Sequence, residues 1–152
     1  MSIRPLTKEQ SGFKLFELTL IFIVIGILSA VIIGTYSGVQ AKTRNSDRQK
    51  NITLVQKSLE LYFAYNGNYP TLDEMNNSTW LSNNMKYLDQ GTLKDPKAKD
   101  QFLAATPIKN KYSYTVTSNN GTDCNNTSVK CSKYILTAKF EGGGKFTASS
   151  LN

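Results

Sequence analysis

Between Leu18 and Ala41 the chain carries no charged side chain, and from Leu18 to Ile33 nearly every residue is Leu, Ile, Val or Phe. Nothing else in the sequence constrains the fold as strongly. About twenty such residues, at roughly 1.5 Å each, form a helix of roughly 30 Å, the thickness of a bilayer's hydrocarbon core. Glu17 stands at the mouth of this run. An unpaired carboxylate in hydrocarbon costs about 3 kcal/mol even on the lenient insertion scale, so it needs a partner. Arg4 and Lys8 precede the run and Val39-Gln40-Ala41 offers small side chains, the pattern of a cleaved secretory signal. The run is longer than a signal core of about 7 to 15 residues, however, and Lys42, Arg44, Arg48 and Lys50 follow it. A plain single-span anchor is the other ordinary reading. Lys and Arg are nearly balanced on its two sides, so loop charge does not orient it.

In a chain of 152 residues, setting aside the first third leaves enough for one small domain. The formal charge of +7 would suit an anionic partner, but the lysines are scattered rather than gathered on one element. Histidine is absent, which removes the commonest general base and zinc ligand, and two cysteines cannot build a Cys-rich metal cluster. No nucleophile, base and metal set is visible, so the expectation is a non-enzyme with no cofactor and no metal. Asp73 and Glu74 are adjacent acids of the kind that open a helix rather than a catalytic pair. Cys124 and Cys131 lie in a stretch rich in Asn, Thr and Ser and can close a disulfide. That would suit an extracytoplasmic domain and a C-terminus outside the membrane, although reduced cytosolic thiols would leave the same letters.

Gly12-Phe13-Lys14-Leu15-Phe16-Glu17, followed by the apolar run, resembles the processing site of type IV pilins and the related pseudopilins. Ile25-Gly26-Ile27-Leu28-Ser29-Ala30 continues the resemblance, as do Leu59-Glu60-Leu61-Tyr62 and Asn66-Gly67-Asn68-Tyr69-Pro70, so that it extends from about Ser11 to Pro70. It implies that a prepilin peptidase cuts between Gly12 and Phe13 and that the new amino group on Phe13 is methylated. It also implies that Glu17 pairs with the amino terminus of a neighbouring subunit. Processing would thus create the missing cation, with a reference pKa near 8, and the helix dipole favours the acid at the same end. A buried pair adds little net stability, but stranding one member costs about 3 to 5 kcal/mol, which suits it to setting docking depth.

Gly26, Ala30, Gly34 and Gly38 recur every four residues and form a narrow face along which another helix can approach. Where many pilins carry a proline, this chain has Gly34, so a break in the helix is permitted rather than imposed. Beyond the run, Ile52, Val55, Leu59, Tyr62 and Phe63 fall at steps of three or four, with Lys50, Gln56, Lys57 and Glu60 on other faces. Read continuously from Lys14 to about Tyr65, the helix would be roughly 78 Å long, more than so small a domain can cover. The stretch from Ser37 to Lys50 is expected to bridge the two environments.

Asn66-Gly67 should end the helix, and the Thr71 to Glu74 spacing should open a short one around Asp73 to Asn76. Trp80, Leu81, Met85 and Leu88 mark another short turn, and Asp95-Pro96 sits in a Lys-rich loop. Tyr112, Tyr114 and Val116 alternate with polar residues, as do Tyr134, Leu136, Ala138 and Phe140, before Gly142-Gly143-Gly144 turns into Lys145 to Ala148. The expected fold is α+β, a long helix against a small antiparallel sheet. The expected segments are a leader (1–12), a transmembrane or filament-core helix (13–41), an amphipathic helix (42–66), a connecting region (67–111) and the sheet with its cysteine loop (112–152). Asp123 alone is too few oxygens for calcium, and Asn-x-Ser/Thr triplets such as Asn125-Asn126-Thr127 arise by chance in an Asn-rich chain.

The expected function is a filament subunit for adhesion, motility, DNA uptake or secretion. Its partners would be copies of itself or other pilins, the peptidase, cytoplasmic-membrane lipid before assembly and, through the basic charge, nucleic acid or an anionic surface. Its location would change from the cytoplasmic membrane, N-terminus inside, to an extracellular or envelope-spanning filament. The contrasting reading is a monomeric anchored or secreted binding domain.

Overall fold

The computed structural model describes residues 14–100 and 102–152, apart from the side chains of residues 31–35. The chain divides between Val39 and Gln40 into two compact units, and helix α1, Leu15–Asn66, contributes to both. In the first unit the described residues are helical after Lys14, in a run dominated by Leu, Ile, Val and Phe.

The second unit is the head. Here α1 places Ile52, Val55 and Leu59 in the core, with Tyr62 and Phe63 packed against it, at the three- and four-residue steps that one helical face requires. Gly67 ends the helix with φ 69°, a conformation that an L side chain resists, and its N–H donates to the Phe63 carbonyl at 2.7 Å. Thr71 and Glu74 then form a reciprocal cap. The Glu74 N–H donates to Thr71 Oγ1 at 3.2 Å, and the Thr71 N–H donates to Glu74 Oε2 at 2.7 Å. The short helix α2, Leu72–Met75, therefore starts one residue earlier than Asp73. Asn77 caps α3, Ser78–Asn84, by accepting the Trp80 N–H at 3.0 Å. A 3-10 turn at Gln90–Leu93, not expected from the sequence, is opened by Asp89, whose carboxylate accepts the Gly91 N–H.

Strands β1 (Ser113–Thr117), β2 (Lys133–Lys139) and β3 (Lys145–Ser149) form an antiparallel sheet in the order β1-β2-β3. The architecture is the expected α+β fold. Tyr114 lies opposite Leu136, which lies opposite Ala148, and all three are buried. Period-two alternation sends these residues to one face and Ile135, about half exposed, to the other. Phe140 falls one residue past β2, where its N–H donates to the Gly144 carbonyl at 3.0 Å across a turn whose three glycines all have positive φ. Between β1 and β2, Cys124 and Cys131 are joined by a disulfide. Asn126 ties this loop to the segment that follows α1. It donates to the Tyr69 carbonyl at 2.8 Å and accepts the Cys131 N–H at 2.9 Å, while the Tyr69 N–H donates to the Cys131 carbonyl at 2.8 Å.

The core is aromatic as much as aliphatic. Tyr69 and Tyr134 meet edge to face at 4.7 Å, and Phe63 stacks on Tyr69 at 4.5 Å. Glu60, read from the sequence as lying off the apolar face, in fact receives the hydroxyls of Tyr134 at 2.7 Å and Tyr69 at 2.9 Å. Its neighbour Gln56 donates to the Ser149 carbonyl at 2.8 Å. A three-and-four pattern marks only the centre of a buried stripe, whereas residues at its edges are long enough to reach partners supplied by the sheet.

Candidate functional site

Among the described residues of the first unit no side chain is buried. Leu15 is 85% exposed, Phe16 77%, Phe22 65%, Ile27 62% and Leu28 58%, and these residues point to different sides of the helix. An apolar surface of this extent on a soluble monomer is a site of association with protein or lipid. The two hydroxyls between Leu15 and Ala30 are already satisfied within the helix: Thr19 donates to the Leu15 carbonyl at 2.8 Å and Ser29 to the Ile25 carbonyl at 2.7 Å. Such back-bonding removes the need for water, which suits an apolar setting. Among the described residues no helix is long and apolar enough to cross a membrane. The expected span of residues 13–41 includes Phe13 and the side chains of residues 31–35, which lie outside that description.

Glu17 occupies the first turn of α1, three residues after Lys14. Its Oε2 accepts the Lys14 backbone N–H at 3.3 Å, so the acid reaches back over the positive end of the helix. The Gly12-Phe13 processing site lies outside the described residues, so the expected pairing of Glu17 with Phe13 lies beyond them too. Of the small-residue stripe, a side-chain carbon built at Gly26 or Gly38 meets nothing within 4 Å. Space there is open to a neighbour. Ala30 is exposed on the same helix, and Gly34 falls in the stretch whose side chains are not described.

A polar cluster in the head escaped the sequence reading entirely. Arg48, expected to lie in a bridging segment, is fully buried. Its Nε and Nη2 donate to the two oxygens of Asp95 at 2.6 and 2.9 Å, and its Nη1 donates to Asn45 Oδ1 at 2.8 Å and to Glu141 Oε1 at 3.0 Å. Glu141 also receives Arg44 in a forked pair at 2.6 and 2.7 Å and Lys97 at 2.8 Å. The Asn45 side-chain amide accepts the Glu141 N–H at 3.0 Å and donates to the Glu141 carbonyl at 3.1 Å. The Arg44 guanidinium, then Lys97 and Arg48, hold the Glu141 carboxyl well below the usual carboxylate range. Arg48 is raised in turn, chiefly by its bond to Asp95. Three cations and two acids here fix one face of α1 to the β2–β3 turn and to the loop at Asp95. Every charged group of the cluster is committed to a partner within the head. Asp95 and Glu141 lie 47 and 93 residues from Arg48, a separation no motif spans.

No family model matches the chain, and no solved structure does. Curated relatives are nonetheless found. The type II secretion system core protein G of Aeromonas hydrophila is 26% identical over 92 residues, 57% of this chain and 64% of that protein. Its namesake in Klebsiella michiganensis is 30% identical over 70 residues, 44% of this chain and 47% of the relative. The Escherichia coli K12 protein of the same name is 26% identical over 68 residues, 45% and 47% of the two chains. These relatives support the pilin and pseudopilin family. The chain spans about half to just under two thirds of the length of these relatives. The head is a folded body closed by its own core, disulfide and ionic cluster, whereas the described side chains of the first half of α1 are exposed.

Proposed function

We propose that this protein is a pilus-like structural subunit of a secretion apparatus, polymerised through the first half of α1 into an envelope-associated filament with copies of itself or with other pseudopilins. The observation that carries this reading is the exposed apolar helix of the first unit, headed by Glu17 in its first turn. The type II secretion relatives support secretion over adhesion, motility or DNA uptake. A prepilin peptidase cuts between Gly12 and Phe13, and before assembly residues 13–41 rest in the cytoplasmic membrane with the N-terminus inside. Each incoming helix then slides until Glu17 meets the amino group of Phe13 on a neighbour, because a displaced register leaves a charge unpaired in an apolar setting. Removing Arg4, Lys8 and Glu9 with the leader changes the formal charge from +7 to +6, so a filament repeats a modest positive charge. Binding of that filament to nucleic acid or an anionic surface would weaken steeply with salt.

Two measurements on the native producer test this. Sequencing the mature N-terminus should give Phe13; an intact leader, or a start at Lys42, sinks the processing step. Glu17→Gln should still insert and be cut yet fail to enter filaments, and normal filaments from that variant would remove Glu17 from assembly.

A further inference from the structure

Six Asn-x-Ser/Thr triplets occur in the chain, beginning at Asn51, Asn76, Asn77, Asn120, Asn125 and Asn126. Such a triplet is an acceptor for N-linked glycan only on an accessible turn outside the membrane. The letters do not distinguish the six, but the fold does. Asn51 lies within α1 and donates to the Tyr112 hydroxyl at 3.2 Å. Asn76 exchanges two bonds with the Leu103 backbone, at 2.7 and 3.0 Å. Asn77 is the cap of α3, so its triplet runs directly into a helix. Asn126 is locked between Tyr69 and Cys131. Asn125 lies inside the disulfide loop, and its Oδ1 accepts from the backbone N–H groups of Thr127, Ser128 and Val129.

Asn120 differs from the other five. It is exposed at the tip of the turn after β1, and its side-chain amide has no hydrogen-bond partner among the described residues. The turn beneath it is closed: the Ser118 N–H donates to the Thr122 carbonyl at 2.9 Å, the Gly121 N–H donates to the Ser118 carbonyl at 3.0 Å, and the Ser118 and Thr122 hydroxyls meet at 2.7 Å. Asn120-Gly121-Thr122 is thus an ordered, non-helical triplet that presents a free amide from a body that does not need it.

We infer that Asn120 is a glycan attachment site. This rests on the extracytoplasmic placement of the head proposed above. The donor is an oligosaccharide linked to a polyprenyl pyrophosphate, used by a membrane transferase. Asn120 Nδ2 forms the bond to the sugar's anomeric carbon, the bond from that carbon to the pyrophosphate oxygen breaks, the amide proton passes to a base of the transferase, and polyprenyl pyrophosphate leaves. No oxidant or reductant is involved. A bulky hydrophilic group at the tip of this turn would displace no contact of the head.

The test is peptide and intact-mass analysis of the protein purified from its native producer, with thiol alkylation before digestion. The expected result is one hexose-containing mass increment on the peptide holding Asn120, lost in Asn120→Gln and in Thr122→Ala but kept in Thr122→Ser. An unmodified Asn120 in a protein whose Cys124 and Cys131 are oxidised overturns the inference while leaving the head outside. An unmodified Asn120 with both thiols alkylated overturns the inference together with that placement. Glycan on Asn77 or Asn125 instead overturns the assignment to Asn120.

Discussion

Arg48 and Asp95, 47 residues apart in the chain, form a forked ion pair at 2.6 and 2.9 Å in which Arg48 is 0% and Asp95 2% exposed. Such a pair is favourable mainly relative to its own fragments. Asp95→Asn or Arg48→Met alone should destabilise the head by about 3 to 5 kcal/mol, since the first leaves buried Arg48 only its single ionic bond to Glu141 and the second leaves buried Asp95 without its forked partner. The double variant Arg48→Met with Asp95→Leu should lose far less than the two single changes combined, because the desolvation cost disappears with both charges. Urea unfolding of the four proteins reads this directly; additive losses would mean that the two side chains do not act as a unit.

Acid should act through Glu141. Its folded pKa lies below its unfolded value, so its contribution is present above about pH 4.3 and is lost as pH falls through the folded value. Glu141→Gln should be less stable at pH 7 and show a flatter decline on acidification. Unfolding midpoints measured from pH 7 to pH 2 check both halves of the expectation; parallel curves for the two proteins would contradict it.

Alkali should act through the tyrosines. Burial, opposed by the bond from Asn152 and reinforced by the bond to Glu60, pushes the Tyr69 hydroxyl up to about 12, and burial pushes Tyr134 higher still. Their folded pKa values exceed the unfolded value, so this contribution is complete below about pH 10 and is lost as pH rises through the folded values. Absorbance at the tyrosinate band should therefore lag behind the solvent pH until the head unfolds. A smooth titration of all tyrosines near pH 10 in the folded protein would refute this.

The disulfide closes a loop of about eight residues, for which the chain-entropy relation gives about 2.5 kcal/mol. Replacing Cys124 and Cys131 together by Ser should lower stability by that order without unfolding the head, because Asn126 still ties the loop to Tyr69. Differential scanning calorimetry with and without reductant gives the comparison; a head that fails to fold without the bond would contradict it.

Gly26 and Gly38 separate folding from association. Neither position has a neighbour within 4 Å, so Gly26→Leu and Gly38→Leu should leave the head's unfolding midpoint unchanged and favour the helix by up to about 1 kcal/mol each. Filament yield should fall if the small face is where a second helix approaches. Undiminished filaments from both variants would remove that face from assembly.

Particular residues show where sequence reading succeeds and stops. The uncharged run that begins at Leu18 reads as a helix apolar on every side, and its described residues are helical with their apolar side chains exposed. Thr71 and Glu74, Gly67, and the alternation of Tyr114 with Tyr134 and Leu136 on the next strand were legible because caps, turns and strand faces are set by residues a few positions apart. Arg48 looked like an ordinary flanking charge and Asp95 like part of a generic Asp-Pro, and nothing local singled out Glu141. Glu60 looked like a solvated acid, and Asn120 like one chance triplet among six.

Legible from the letters alone were an uncharged apolar helix, an acid in its first turn, and a small α+β body later in the chain. Those features are local, since hydropathy and period act within a few turns of chain. Which polar side chains are committed depended on the folded arrangement. It put Arg48, Asp95 and Glu141 into one cluster, gave Glu60 to two tyrosines and left the amide of Asn120 without a hydrogen-bond partner among the described residues. The physical reason is that a charge or an amide takes its meaning from whatever the fold brings within about 3 Å of it, and those partners lie tens of residues away in the chain.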